Sequence, residues 1–302
     1  MEPNAHNDPL PEFVKARPRL FGIAYRILGS VAEAEDIVQD VWLRWQTTDR
    51  SVVLDPPAFL GTATTRLAIN VAQSARSRRE TYVGPWLPEP VDTSIDPHLG
   101  AERGEALGLA VLLLLEKLSP TERAAYVLRE AFDYPYRQIA EILQLEEANT
   151  RQLVTRARQH ITEGRRAPVS SAEQGRFLEA FIAAAQKGDL ATLEGLFAAD
   201  VVSYSDGGGV VRAARNPIAG RERVARFIAA LAPHFWTGVT LTWIQTNGQL
   251  SALMSRDGAL VTVATIDASA EGIEQILWMM RPSKLRALSK PEQANGGVGA
   301  SA

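Results

Sequence analysis

The sequence predicts a multidomain chain, two all-α domains followed by an α+β domain, on three observations. Apolar residues recur every three or four positions up to about residue 166, punctuated by helix-capping signals. A stretch rich in proline, around residues 83–103, interrupts that pattern once. After Pro168 two amphipathic segments precede alternating apolar runs joined at Asn247-Gly248 and Asp257-Gly258, both strong hairpin turns. A chain of 302 residues is long enough for two or three compact domains.

Residues 10–30 carry one apolar stripe through Phe13, Leu20, Ile23, Ala24 and Ile27, stopped at Gly29-Ser30. Ser30 and Glu33 form a capping-box pattern that starts a second helix, which buries Val31, Ala34, Ile37, Val38, Val41, Trp42 and Trp45. Asp55-Pro56-Pro57 leads to a third helix over roughly 57–75, ending in Arg76-Ser77-Arg78-Arg79. Gly84-Pro85-Trp86-Leu87-Pro88-Glu89-Pro90 cannot be helical, because each proline pushes its predecessor towards extended geometry. Helices resume near Gly104, and Ser119-Pro120-Thr121-Glu122 is a second capping box with proline at the first helical position. In the last domain a helix through Phe177, Ala180, Phe181 and Ala184 and a shorter one through Leu190, Leu193, Leu196 and Phe197 come before the strands. A chain that runs helices first and a strand meander afterwards forms a separate α+β unit.

Charge narrows the function. The formal net charge is −3, and the balance is 0 over residues 1–80, −4 over 81–118, +1 over 119–166 and 0 beyond. A protein that gripped DNA unaided would show a basic patch, since phosphate neutralisation supplies most non-specific affinity. These basic spots flanking an acidic middle fit a subunit that reads DNA while a larger partner holds it. With no cysteine there is no thiolate chemistry and no Cys-ligated zinc, and the scattered histidines (His6, His98, His160, His234) give no metal spacing; neither metal nor cofactor is expected. The longest apolar run, Leu107 to Leu115, is about half a membrane span. The polar N-terminus reads as no signal peptide, so a cytoplasmic location with no membrane partner is expected.

Residues 136–162 read as a helix-turn-helix. Thr150, Leu153, Ala157 and Ile161 line the inner face of its second helix, while Arg151, Thr155 and Arg158 make the outer stripe, flanked by Gln152 and Gln159. Arg and Gln can bond two-pronged to guanine and adenine edges in a major groove. The same stripe would also suit an ordinary solvated face.

The order of motifs adds a resemblance. Ala34-Glu35-Asp36-Ile37-Val38-Gln39-Asp40-Val41-Trp42 resembles the signature of region 2 in the sigma-70 family, and Leu118-Ser119-Pro120-Thr121-Glu122-Arg123 with Tyr136-Arg137-Gln138-Ile139-Ala140 resembles region 4. With no third region between them, the layout is that of an extracytoplasmic-function sigma factor. Trp86-Leu87-Pro88-Glu89-Pro90, Asp206-Gly207-Gly208-Gly209 and Asn216-Pro217-Ile218-Ala219-Gly220 are similar to marks of the subgroup with a C-terminal SnoaL-like cone domain. That subgroup usually has a lysine after the glycines; Val210 stands there, so any regulatory role of that lysine is not carried over.

The resemblance implies region 2 at 10–82, a linker at 83–103, region 4 at 104–166, a SnoaL-like regulatory domain at 172–288 and a disordered tail at 289–302. It implies that the chain binds core RNA polymerase, through the β′ clamp and the β flap, and directs it to promoter DNA. The acidic face of the second helix, Asp36, Gln39 and Asp40 with Leu43, would dock on the polymerase; alone, such a stripe reads as a solvated face. Arg66, Asn70, Arg76, Arg78 and Arg79 would serve the −10 element, and Asn149, Arg151, Gln152, Thr155, Arg156 and Arg158 the −35 element. The motifs at 86–90 and 206–209, with Asn216 and Pro217, would join the third domain to the linker and modulate activity. Trp86 should pack on something, and three successive glycines permit close backbone approach. The third domain is also a candidate to bind a small signalling molecule. No signal for an anti-sigma partner is legible. Two other readings stand beside this one: a dimeric ligand-responsive helix-turn-helix regulator, and a SnoaL-like enzyme built on Asp206 and His234.

Overall fold

A computed structural model describes residues 8–93 and 108–288, apart from the side chains of 76–78. The expected tail at 289–302, and the linker's far end with the boundary at 104, lie outside these residues.

The first helix, α1 (Leu10–Leu28), buries Phe13 and then every residue from Leu20 to Leu28. One stripe was expected; neighbours instead enclose its C-terminal half on several sides. Gly29 ends it in the left-handed region (φ 66), where a side chain would be strained. Ser30 caps α2 (Val31–Thr47) by accepting the Glu33 N–H, and Trp45 is fully buried with its indole donating to Pro9 O at 3.0 Å. Asp55 caps α3 (Pro56–Glu80). This helix continues past the expected end near 75, because Arg76 to Glu80 include no glycine or proline and Arg79 is anchored beyond it.

In the second domain α4 (Leu109–Leu115) precedes α5 (Pro120–Glu130), whose Ser119–Glu122 capping box is present in both directions. The helix pair α6 (Tyr136–Leu143) and α7 (Glu147–Glu163) turns at Gln144, itself left-handed at φ 56, with Leu145 N–H returning to Ala140 O at 2.9 Å. The buried stripe of α7 runs through Thr150, Val154 and Ala157; Leu153 and Ile161, expected inside, are half-buried.

The third domain begins with α8 (Ser171–Lys187) and α9 (Leu190–Leu196). It continues with β1 (Phe197–Asp206), β2 (Ile218–Ala219), α10 (Arg221–Phe235), β3 (Val239–Thr246), β4 (Gln249–Arg256), β5 (Ala259–Ser269), β6 (Gly272–Met279) and α11 (Pro282–Leu285). The six strands lie in the order β2-β1-β6-β5-β4-β3, antiparallel except for the parallel β1–β6 pair. Asn247 and Gly248 (φ 54 and 75) and Asp257 and Gly258 (φ 51 and 78) make the two expected hairpin turns, each with positive φ at both central residues. Pro233-His234-Phe235 is the last turn of α10, and Phe235 packs edge-on against Trp278.

Alternation along the strands divides the core. Ala264, Ile266, Ile276 and Trp278 face α8–α10 inside the cone, whereas Val263, Leu277 and Met279 face the opposite way. That second face joins the linker's Leu87 and Val91 and the helices of both other domains in one continuous apolar cluster. The central strands β5 and β6 are therefore covered on both sides, while the edge strand β3 stays largely exposed. Arg165 adds a two-pronged bond to Asp267 (3.0 and 2.8 Å) where the chain passes from α7 into the cone. Among the described residues no helix is long and apolar enough to cross a membrane.

Candidate nucleic-acid interface and interdomain clasp

Asp206 ends β1 and is fully buried. Its carboxylate accepts from Tyr82 Oη (2.6 Å), the Leu87 N–H (2.9 Å) and Lys284 Nζ (2.7 Å), joining linker, sheet and C-terminal helix at one point. Lys284 also donates to Leu87 O and lies 4.2 Å from the centre of the Trp86 ring. Burial pulls the Lys284 pKa down to about 8, opposed by Asp206, and burial with the Asp206 bond raises that of Tyr82. The glycines matter for access. Gly208 has φ 58, and a Cβ there would come within 2.7 Å of both Tyr82 Oη and Arg281 Cδ.

Asn247 is a second anchor. At the tip of the β3–β4 hairpin it exchanges two bonds with Val91, each 2.9 Å, and donates through Nδ2 to Tyr25 Oη at 2.7 Å. Tyr25, fully buried in α1, donates in turn to Glu89 O, and its hydroxyl pKa is raised by burial. One hydrogen-bonded chain therefore connects all three parts. The Glu89 carboxylate caps α2, accepting from Val31 N–H at 2.7 Å and Ser30 Oγ at 3.0 Å, where a negative charge suits a helix start. Trp86 is half-buried between Gly29, the Arg79 guanidinium (3.6 Å from its ring centre) and Lys284.

The two helical domains are also locked together. Arg66 on α3 donates to the last-turn carbonyls of α6, Ile142 O at 2.9 Å and Glu141 O at 3.1 Å. Arg79 pairs with Glu116 and donates to Leu28 O; Glu116 also accepts from Arg123 at 2.6 Å, and Arg123 reaches Ile27 O at 2.7 Å. Arg19 donates to Phe132 O and stacks on Phe132 and Tyr134.

Other polar faces stay open. Asp36, Gln39, Asp40 and Leu43 form an exposed strip along α2. On α7, Asn149, Arg151, Gln152, Thr155, Arg156 and Arg158 are exposed. Arg151 pairs with Glu147 and stacks on Tyr136, and Arg158 donates to Glu130 at 2.7 and 3.1 Å.

A family model for sigma-70 region 2 matches residues 13–79, and one for sigma-70 region 4 matches residues 108–161. The ECF RNA polymerase sigma factor SigJ of Mycobacterium tuberculosis is 39% identical over 252 residues, covering 80% of this chain and 79% of SigJ. The chain belongs to the extracytoplasmic-function sigma factors. The probable ECF sigma factor SigI of the same species is 31% identical over 290 residues, 94% of this chain and 97% of SigI. The crystal structure of M. tuberculosis SigJ superposes with a TM-score of 0.75 at 33% identity, covering 91% of this chain and 98% of that one. The cone of this sigma factor is consistent with a SnoaL-like domain.

With the family in hand, α1–α3 are region 2, α4–α7 are region 4, and the protein is a promoter-directing subunit rather than an enzyme. Asp206 belongs to the clasp and His234 lines a cavity in the cone. Of the motif at 86–90, Leu87 bonds Asp206 and Trp86 lies against Lys284, whereas Glu89 caps α2; Gly208 and Gly209 lie against Tyr82 and Val83. Asn216 and Pro217 are exposed in the loop before β2, next to Arg215, whose carbonyl faces Gly84. Asn70 is exposed; the side chains of Arg76 and Arg78 are outside the described set. Sequence reasoning missed Tyr25, Tyr82, Glu116, Arg123 and Lys284. None of the five carried a local signal: Lys284 is one of three cations, with Arg281 and Arg286, in the short segment after the last strand.

Proposed function

We propose that this sigma factor rests in a closed state, held by its own C-terminal domain, and opens when it engages core polymerase in the cytoplasm. In this reading α2 docks on the β′ clamp through Asp36, Gln39, Asp40 and Leu43, region 4 meets the β flap, and α7 reads the −35 element. Arg66, Asn70, Arg76, Arg78 and Arg79 on α3 serve the −10 element. The observation that carries the proposal is the position of Arg66 and Arg79. Both are bonded inside the chain, to α6 carbonyls and to Glu116, so α3 cannot offer them to DNA until regions 2 and 4 separate. The clasp holds the linker between those regions, and contacts present only in the closed state bias the equilibrium towards it. A motif pattern lacking an anti-sigma signature is no argument that such a partner is missing.

The test is run-off transcription with core polymerase, comparing the full chain, Trp86→Ala, Asp206→Ala and a chain ending near 167. A change in output across this series, with the affinity of region 4 for the −35 element unaltered, supports the clasp as a regulator. Equal output from all four would leave the third domain a passenger.

A further inference from the structure

The cone holds a cavity of about 520 Å³ between α10 and the inner face of the sheet. Its walls are mainly apolar and aromatic: Phe227, Leu231 and Phe235 of α10, then Trp236, with Trp278 and Met280 opposite. Polar groups are few and differently placed. The Ser205 hydroxyl lies on a buried residue, while Arg212 and His234 are exposed. Pockets of this size, lined mainly by hydrophobic and aromatic side chains, are typical of small-molecule sites.

The cavity shares its wall with the clasp. Ser205 and Asp206 are consecutive on β1, so their side chains leave opposite faces of the strand; one lines the cavity and the other binds Tyr82, Leu87 and Lys284. Met280 and Arg281 repeat this: Met280 lines the cavity and donates its N–H to Asp206 O at 2.9 Å, and Arg281 stacks on Tyr82. The loop after Gly207 closes the arrangement. Arg212, Ala213 and Ala214 border both the cavity and a second hollow of about 360 Å³ that Val83 and Gly84 of the linker line from the other side.

We propose that this cavity binds a planar aromatic ligand with an anionic group, and that the ligand controls linker docking through the shared Ser205–Asp206 and Arg212–Ala214 wall. The rings lie between α10 and Trp278, and the anion lies by Arg212 and His234. The assignment of control rests on the closed-state reading above; the assignment of the site does not.

The probe is 8-anilinonaphthalene-1-sulfonate, with N-phenyl-1-naphthylamine as the same ring system without the charge, added to the full chain. The sulfonate is expected to bind the native protein and raise its unfolding temperature, as binding to the folded state requires. Arg212→Glu should weaken the sulfonate about tenfold and leave the neutral amine within about twofold. Leu231→Trp, which narrows the cavity, should weaken both. Amide exchange over residues 82–93 should change about threefold or more when the sulfonate saturates. A lowered unfolding temperature, or binding indifferent to both substitutions, overturns the site. Binding that responds to both but leaves exchange at 82–93 unchanged overturns the coupling. If exchange responds but run-off transcription does not, the ligand site and its coupling stand and the closed-state reading of function fails.

Discussion

At the residue scale, Asp206 and Lys284 are a buried pair whose other partners include the Leu87 N–H and carbonyl of the linker. Removing one member of such a pair leaves a charge without its counter-ion, which costs about 3–5 kcal/mol. Asp206→Ala should lower the unfolding free energy by that order in denaturant titration, and Asp206→Ala with Lys284→Met together should cost less than Asp206→Ala alone. The pH dependence has a definite sign. Burial lowers the Lys284 pKa to about 8 in the docked state, against about 10.4 for a solvated lysine. Above pH 8 the docked form has released a proton that the undocked form keeps, so docking strengthens as pH rises from about 8 towards 10. Beyond about 10 the hydroxyls of Tyr25, fully buried, and Tyr82, half-buried and bonded to Asp206, retain protons that a free tyrosine would lose, and the trend reverses. Thermal midpoints measured across pH 8–10 should therefore rise more for the native chain than for Lys284→Met; parallel curves would remove Lys284 from the account.

At the scale of elements, α2 and α7 present the open faces. Asp36→Arg with Asp40→Arg should abolish co-purification with core polymerase while leaving the circular dichroism spectrum unchanged, since both side chains are exposed. Arg151→Ala and Gln152→Ala should each weaken use of the −35 element by about 1–3 kcal/mol if the base contact is two-pronged. The loss of the exposed Arg151–Glu147 pair would contribute at most about 1 kcal/mol to folding. Helices, caps and hairpin turns were legible in the sequence because each is fixed locally, as at Ser119–Glu122 or Asn247-Gly248. The buried face of α7 was misread towards Leu153 because periodicity marks a stripe without saying what covers it; α5 packs on α7, and Val154 is fully buried. The end of α3 was misjudged because its anchor, Glu116, comes 37 residues later.

Across the whole molecule, the motifs at 86–90 and 206–209 could be recognised as a pair, yet the chemistry that joins them could not. Tyr25, Asn247 and Lys284 meet the linker from 64, 156 and 197 residues away, through bonds that no local pattern announces. Nor does any sequence rule place Arg66 on the carbonyls of α6. That contact defines the closed state, in which α3 and the helix-turn-helix share one core.

The most direct measurement uses the lack of cysteines in the chain. Spin labels on Gln73→Cys in α3 and Gln144→Cys in the turn before α7, both exposed positions, report the separation of regions 2 and 4 by pulsed dipolar spectroscopy. A closed resting state gives one narrow short-distance population in the free protein and a longer one when core polymerase is bound. Asp206→Ala without polymerase should convert partly to longer distances. An identical distance distribution in the free protein, the Asp206→Ala variant and the polymerase complex would contradict a closed resting state that polymerase opens.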